Sequence, residues 1–300
     1  MLITHTHTHT HTIPNESFAS VDFLLATTTL LIYRTELTQS NANKTLSKFM
    51  PAVADGLFGH MWHGLQMLGY GFGDTGDTDM VAQGLAWMST AFQPPAPLAK
   101  IGSRSDLTAT LSDIHKDTRL PIFKGDAAAN YFVFLADLAA NYSTVMQGYD
   151  LRVADDISLH QATTTIEKIH DALIGLFAAG NASSMVQEHM ISSAHSVAKL
   201  LPYCVKASTR AVLLRRHWQS VLYNFAIQNR PDPDRRPTLS SRPGEWSELV
   251  AAAVKISDVH VHEIVHYLKD LPSTTHSDEY RRAIASTVIQ RFQSGMSWGF

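Results

Sequence analysis

Histidine sets the chemistry open to this chain. Sixteen of its 300 residues are His, and many of them fall into groups. The segment PAVADGLFGHMWHGLQMLGYGF (51–72) carries His60 and His63, and VQEHMISSAHSVAKLL (186–201) carries His189 and His195. The segment SELVAAAVKISDVHVHEIVHYL (247–268) carries His260, His262 and His266, with Asp258 and Glu263 among them. Imidazole nitrogens mixed with carboxylate oxygens are donors that transition metals accept. On a helix His260 and Glu263, at i and i+3, share one face, while His262 and His266, at i and i+4, share another. A single ion uses one of these phases.

Three further patterns resemble sites. His262-Glu263-Ile-Val-His266 is a literal H-E-x-x-H, in which two His bind zinc and the Glu acts as general base, so a zinc metallopeptidase is the rival reading. Gly71-Phe-Gly73-Asp-Thr-Gly76 is a literal G-x-G-x-x-G, but a dinucleotide fingerprint needs a strand before it. The preceding HMWHGLQM has helical spacing, so these glycines are expected to end a helix in a turn. Residues 4–12 alternate Thr and His, bringing in His5, His7, His9 and His11. Nothing pre-organises those rings, and a CA dinucleotide repeat read in triplets encodes the same run. Residues 1–17 are therefore expected to be a low-complexity, disordered tail.

The elements that must position the remaining histidines are helices. Apolar residues recur at i, i+3 and i+4 over about 45–56, 60–70, 79–92, 127–148, 158–179, 184–201, 207–228, 246–270 and 278–294. Asp77 or Thr78 is placed to cap the third, and Ser257-Asp258 to kink or restart the eighth. No period-two alternation or hairpin signal stands out. NRPDPDRRPTLSSRPGE (229–245) holds four prolines and cannot be helix. The expectation is all-α: a single helical-bundle-like domain over 18–300 with one long Pro-rich loop. Bundles converge side chains from several helices on one interior point, which is what the three histidine groups need.

Composition narrows the partners. A hydrophobic content of 45% and a charged content of 17% describe a globular chain with a substantial core. A net charge of −3 without a basic stripe argues against nucleic acid. The apolar stretch FLLATTTLLIY (23–33) is interrupted by threonines and too short to span a bilayer, so no membrane partner is expected. One cysteine, Cys204, fits a reducing compartment, and a cytoplasmic location is expected. The oligomeric state has no signature.

These segments, in this order, resemble the fungal questin oxidase-like proteins. That family shows Leu-Pro-x-Leu-x-x-Gly and then His-x-x-Ile-x-Leu-Gly-Tyr-Ala; here FMPAVADG is followed by His63-Gly-Leu-Gln-Met-Leu-Gly-Tyr70-Gly. A His-x-x-Thr-x-x-His segment is matched by His189-Met-Ile-Ser-Ser-Ala-His195, and Asp-x-His-x-x-Lys by Asp258-Val-His260-Val-His262-Glu263. The resemblance covers about 46–296. It implies an oxidoreductase of polyketide secondary metabolism that opens or oxygenates an anthraquinone-type aromatic ring. Its implied cofactor is non-haem Fe(II) with O2 as co-substrate, held by His63, His189, His195, His260 and Glu263, of which His260 and Glu263 are the catalytic pair. NADPH is invoked for such proteins as an electron source, without a binding motif here. Trp62, Tyr70 and Phe72 are candidates to hold a small aromatic polyketide substrate. Two departures stand out. The family's Asn-His-x-x-His-His-Leu-Leu helix has no counterpart in FASVDFLLATTTLLIY (18–33), where Asp22 is the one ionisable group, which implies an N-terminally truncated or divergent member, or a catalytically impaired relative. The family lysine is replaced by Glu263, an oxygen donor that needs no carboxylation.

Overall fold

The computed structural model describes residues 28–90, 98, 102–124, 130–270 and 276–299; the Thr-His run and Asp22 lie outside them. Among the described residues there is no strand, only isolated bridges at Arg104–Leu151 and Ser184–Gly299. The chain is all-α. Its helices are α1 (28–39), α2 (Ala42–Val53), α3 (His63–Tyr70), α4 (Thr78–Thr90), α5 (Leu107–Lys116), α6 (Tyr131–Asn141), α7 (Ser143–Gln147), α8 (Leu159–Ala179), α9 (Met185–Leu200), α10 (Ala207–Ile227), α11 (Trp246–Ala253), α12 (Val259–Asp270) and α13 (Asp278–Gln293). Many start where a side chain satisfies the first free N–H groups. Ser158 and Gln161 form a capping box on α8, Ser184 caps α9, and Ser277 caps α13.

Spacing alone misplaced several boundaries. The helix expected over 246–270 is two, restarting at Asp258 as its sequence signal suggests: Asp258 Oδ1 accepts from His260 N (2.9 Å) and Val261 N (3.3 Å) and begins α12. The one expected over 127–148 breaks at Tyr142 into α6 and α7. α1 and α5 were not anticipated, although Leu107, Leu111 and Ile114 carry the period of α5 and Asp106 caps it. The Pro-rich stretch is irregular, as expected. It is tied down by backbone N–H groups: Thr238 to Asn181 Oδ1 (3.1 Å), Ser240 to Thr287 Oγ1 (2.9 Å) and Gly244 to Ser286 Oγ (3.3 Å).

α9 lies at the centre, against α3, α8, α10 and α12. Two features fix α3 beside it. Between α2 and α3 the chain runs as a 3-10 helix, Ala54–Trp62, ending with Met61 and Trp62 at φ 54° and 65°. A left-handed conformation in bulky residues costs on the order of 1–3 kcal/mol each. Trp62 is held there by full burial and by its indole N–H, which donates to Ser220 Oγ at 2.7 Å. The second feature is close approach through glycine. A Cβ on Gly69 would lie 2.5 Å from Ser196 Cβ of α9, and one on Gly84 of α4 would lie 2.7 Å from the Gly64 carbonyl oxygen. α3 then runs into a π-helical turn, Gly71–Thr75.

The C-terminal segment comes back to the start of α9. Gly299 N donates to Ser183 O (2.7 Å), and Met185 N donates to Gly299 O (2.9 Å). Trp298 packs between Phe177 and Phe292, and its Nε1 donates to Asp258 Oδ1 at 3.1 Å.

Candidate metal centre

α9 is apolar in packing but not in sequence. Gln187, Glu188, His189, Ser192, Ser193, His195 and Ser196 are all buried on it. So many polar groups in a core helix break the usual rule, and functional sites are where such breaks are expected.

Of the predicted residues, His63 and His260 lie against His189, with Glu263 one turn beyond His260. From the first turn of α3, His63 places Nε2 3.2 Å from His189 Nε2. From α12, the His260 ring lies 4.9 Å from the His189 ring, centroid to centroid. Ligand-capable atoms of Glu188, His189 and His260 all lie within 4.8 Å of one another. Glu263, one turn beyond His260, accepts a hydrogen bond from the Tyr70 hydroxyl at 2.9 Å, and that hydroxyl also contacts the hydroxyl of Tyr267. Around these groups sit acceptors that fix ring orientation, as partners of metal-binding histidines do. His189 Nδ1 faces the Met185 carbonyl at 2.9 Å, and His260 Nδ1 lies 3.4 Å from Asp258 Oδ1.

The electrostatics of the cluster call for positive charge. Glu188 has no exposed surface, and neither carboxylate oxygen has a hydrogen-bond partner of good geometry. Its ion-pair contact is with His189 Nδ1 at 3.1 Å. An isolated carboxylate in such a place costs several kcal/mol. Burial pushes Glu263 up to about 7; the charge of Glu188 acts the same way, while the Tyr70 hydrogen bond and His189 pull it down. On His189 burial opposes the charge, but the contact with Glu188 outweighs it and its pKa is raised. A buried and a half-buried carboxylate among imidazoles suit a divalent cation: the donor types are right, and the Glu188 oxygens, held only by His189, are the atoms it would satisfy.

The cluster differs from the expected set in both directions. His195 does not join it. Six residues along α9 from His189 amount to about 9 Å of rise and a different face. It lies instead with Asp74 and His266, its ring 4.8 Å from that of Tyr267, and burial pushes its pKa down to about 4. Glu188 is not in the expected set, because a carboxylate on a helix reads as solvent-facing until the surrounding helices bury it. Trp62 lies in the core, fully buried and bonded to Ser220, and presents no surface to a ligand. Tyr70 is half-buried on Glu263, and Phe72 packs on Tyr203 with ring centroids 4.9 Å apart. The peptidase geometry is not assembled. His262 and His266 are on the outer face of α12, and His262 Nε2 is 2.7 Å from the Ile256 carbonyl oxygen. Glu263 is turned inward to Tyr70. The G-x-G-x-x-G run is the π turn closed by Gly76 at φ 66°, as its helical approach predicts.

The sequence model of a family described as Questin oxidase-like matches residues 30–268. The chain belongs to the questin oxidase-like family. Its class of chemistry is therefore that of an oxidoreductase. The match spans α3, α9 and nearly all of α12, the three helices that build the cluster. No curated protein matches the chain significantly. Among the described residues no helix is long and apolar enough to cross a membrane.

Proposed function

We propose that the chain is a non-haem iron oxygenase acting on an anthraquinone-type polyketide. The observation that carries this reading is the fully buried Glu188 carboxylate, ion-paired only with His189, grouped with His189 and His260, with His63 3.2 Å from His189 Nε2 and Glu263 one turn beyond His260. These five would hold the ion, and Fe(II) bound there would supply the reaction with O2. Glu188 adds a carboxylate donor to a chain whose 18–33 segment has no histidine, and Glu263 gives directly the oxygen that a carboxylated lysine would offer. His260 is held by Asp258, whose Oδ1 anchors both its backbone N–H and the neighbouring Trp298. Tyr70 and Tyr267 line up hydroxyl to hydroxyl behind Glu263 and can pass a proton to or from its Oε1. With Trp62 enclosed, aromatic contact to a planar substrate falls to Tyr70 and Phe72. NADPH as reductant and a cytoplasmic setting complete the proposal; the buried, unpaired Cys204 thiol is compatible with that setting.

The test is anaerobic reconstitution with Fe(II), followed by O2 uptake in the presence of hydroxyanthraquinones. Glu263→Gln keeps size and removes charge, so it should weaken iron binding itself, and His260→Ala should do the same, whereas His262→Ala should not. Retention of iron by Glu263→Gln together with loss from His262→Ala would defeat the assignment. A wild-type chain that takes up no stoichiometric iron would point to the impaired relative.

A further inference from the structure

Two motif histidines are not used by the centre just described, yet they are placed together. His195 of α9 and His266 of α12 lie 6.1 Å apart between ring centroids. Asp74, in the π turn after α3, stands beside them, and ligand-capable atoms of all three lie within 4.8 Å of one another. His195 is 7% exposed, and its Nε2 is buried without a hydrogen-bond partner. A bare ring nitrogen in the interior carries a desolvation cost that a ligand would remove. His266 Nδ1 is 3.3 Å from Asp270 Oδ2, the carboxylate–imidazole pairing that fixes a ligating ring and leaves Nε2 free. Asp74 Oδ1 is held at 2.8 Å by Lys199 Nζ, which leaves its second oxygen for another cation.

We propose that Asp74, His195 and His266 form a second cation site, separate from the His189 cluster, for a divalent ion of the Zn2+ class. Two imidazoles and one carboxylate make a three-donor set that Zn2+ completes with water. Each donor comes from a different element, so an ion here ties the π turn, α9 and α12 together. Tyr267, between the two sites, packs its ring on His195 and meets Tyr70 through its hydroxyl, so the tie also holds the wall behind Glu263. The Lys199 ammonium competes for Asp74.

Equilibrium dialysis and calorimetry with Zn2+ alone, on the full chain, test this. His266 and Asp74 are exposed enough to be replaced without loss of fold, which circular dichroism checks. Wild type should take up one more Zn2+ than His266→Ala or Asp74→Asn, and Glu263→Gln should keep that extra ion. The Thr-His run is common to all variants and cancels in the comparison. Asp270→Asn should weaken the site by about 10–100-fold, the usual effect of losing such a partner. Lys199→Met should strengthen it. Equal Zn2+ stoichiometry and affinity in wild type, His266→Ala and Asp74→Asn would overturn the proposal. So would loss of all Zn2+ uptake in Glu263→Gln. Loss of iron binding at the His189 cluster alone would count against the oxygenase reading and leave this site standing.

Discussion

Gly69→Ala measures how tightly the site depends on the seating of α3. A Cβ at position 69 would stand 2.5 Å from Ser196 Cβ and Oγ and 2.7 Å from Ser196 Cα. Ordinary contact begins near 3.4 Å, so the two helices must separate locally by roughly 0.7–0.9 Å. Overpacking of this kind costs about 1–3 kcal/mol. Ala is favoured over Gly in a helix interior by about 1 kcal/mol. The second offsets part of the first, leaving about 0–2 kcal/mol of net destabilisation, readable from urea denaturation of the metal-free chain. The site should suffer more than the fold. His63 rides on the same helix, 3.2 Å from His189 Nε2, and metal–ligand distances tolerate only about ±0.2 Å. Metal binding at the cluster should therefore drop well beyond what the stability change suggests. Ser196→Gly added to Gly69→Ala removes the Cβ and Oγ clashes, though not the one with Cα, and should restore part of the affinity. A Gly69→Ala chain that is about 1 kcal/mol more stable, with unchanged metal affinity, would refute the close packing of α3 on α9.

Asp258→Ala removes the cap of α12 and the partner of His260, and should cost about 1 kcal/mol in urea midpoint analysis and about 10–100-fold in metal affinity. Deleting residues 1–14 should leave circular dichroism and metal binding at the His189 cluster almost unchanged; stoichiometric loss of that metal on deletion would show the Thr-His run to be a ligand source. Burial pushes His170 and His217 down to about 3 in the folded chain, against about 6.5 when unfolded. Between those values the unfolded chain binds more protons, so stability is intact above about pH 6.5 and falls as pH drops toward 3, by at most about 1.4 kcal/mol per pH unit for each ring. Urea midpoints of the metal-free protein should track that fall, and His217→Gln should flatten it; an unchanged slope in His217→Gln would remove that ring from the account.

The helices were legible where apolar periodicity meets a clear start, as in α8 and α9, which begin at Ser158 and Ser184. The phase of α12 was not fixed by spacing, since His262 and His266 also lie one turn apart; the family resemblance pointed to His260 and Glu263, and Glu263 does turn inward to Tyr70. What escaped was set by three-dimensional packing. Glu188 reads as an ordinary helix-surface carboxylate until α3, α8, α10 and α12 close around α9. His195 looks like a partner of His189 in sequence, but helical rotation sends it to another face. Trp62 reads as a pocket aromatic beside His63, and only the left-handed turn at Met61 and Trp62 directs it into the core. Asp74 carries no signal at all, because its position depends on the π turn.

The return of the C-terminal segment has a consequence for the timing of assembly. A chain emerging from the ribosome presents α3, α8, α9 and α10 first, and these can dock with His63 already beside His189. His260 and Glu263 follow on α12. The groups that complete the first turn of α9 and steady Asp258, namely Gly299 and Trp298, are made later still. A nascent chain released after α10 would thus carry two imidazoles and the Glu188 carboxylate but none of the α12 donors. On the proposed reading the full donor set at the His189 cluster is complete only once α12 has been made, and the contacts of Trp298 and Gly299 that brace it come last.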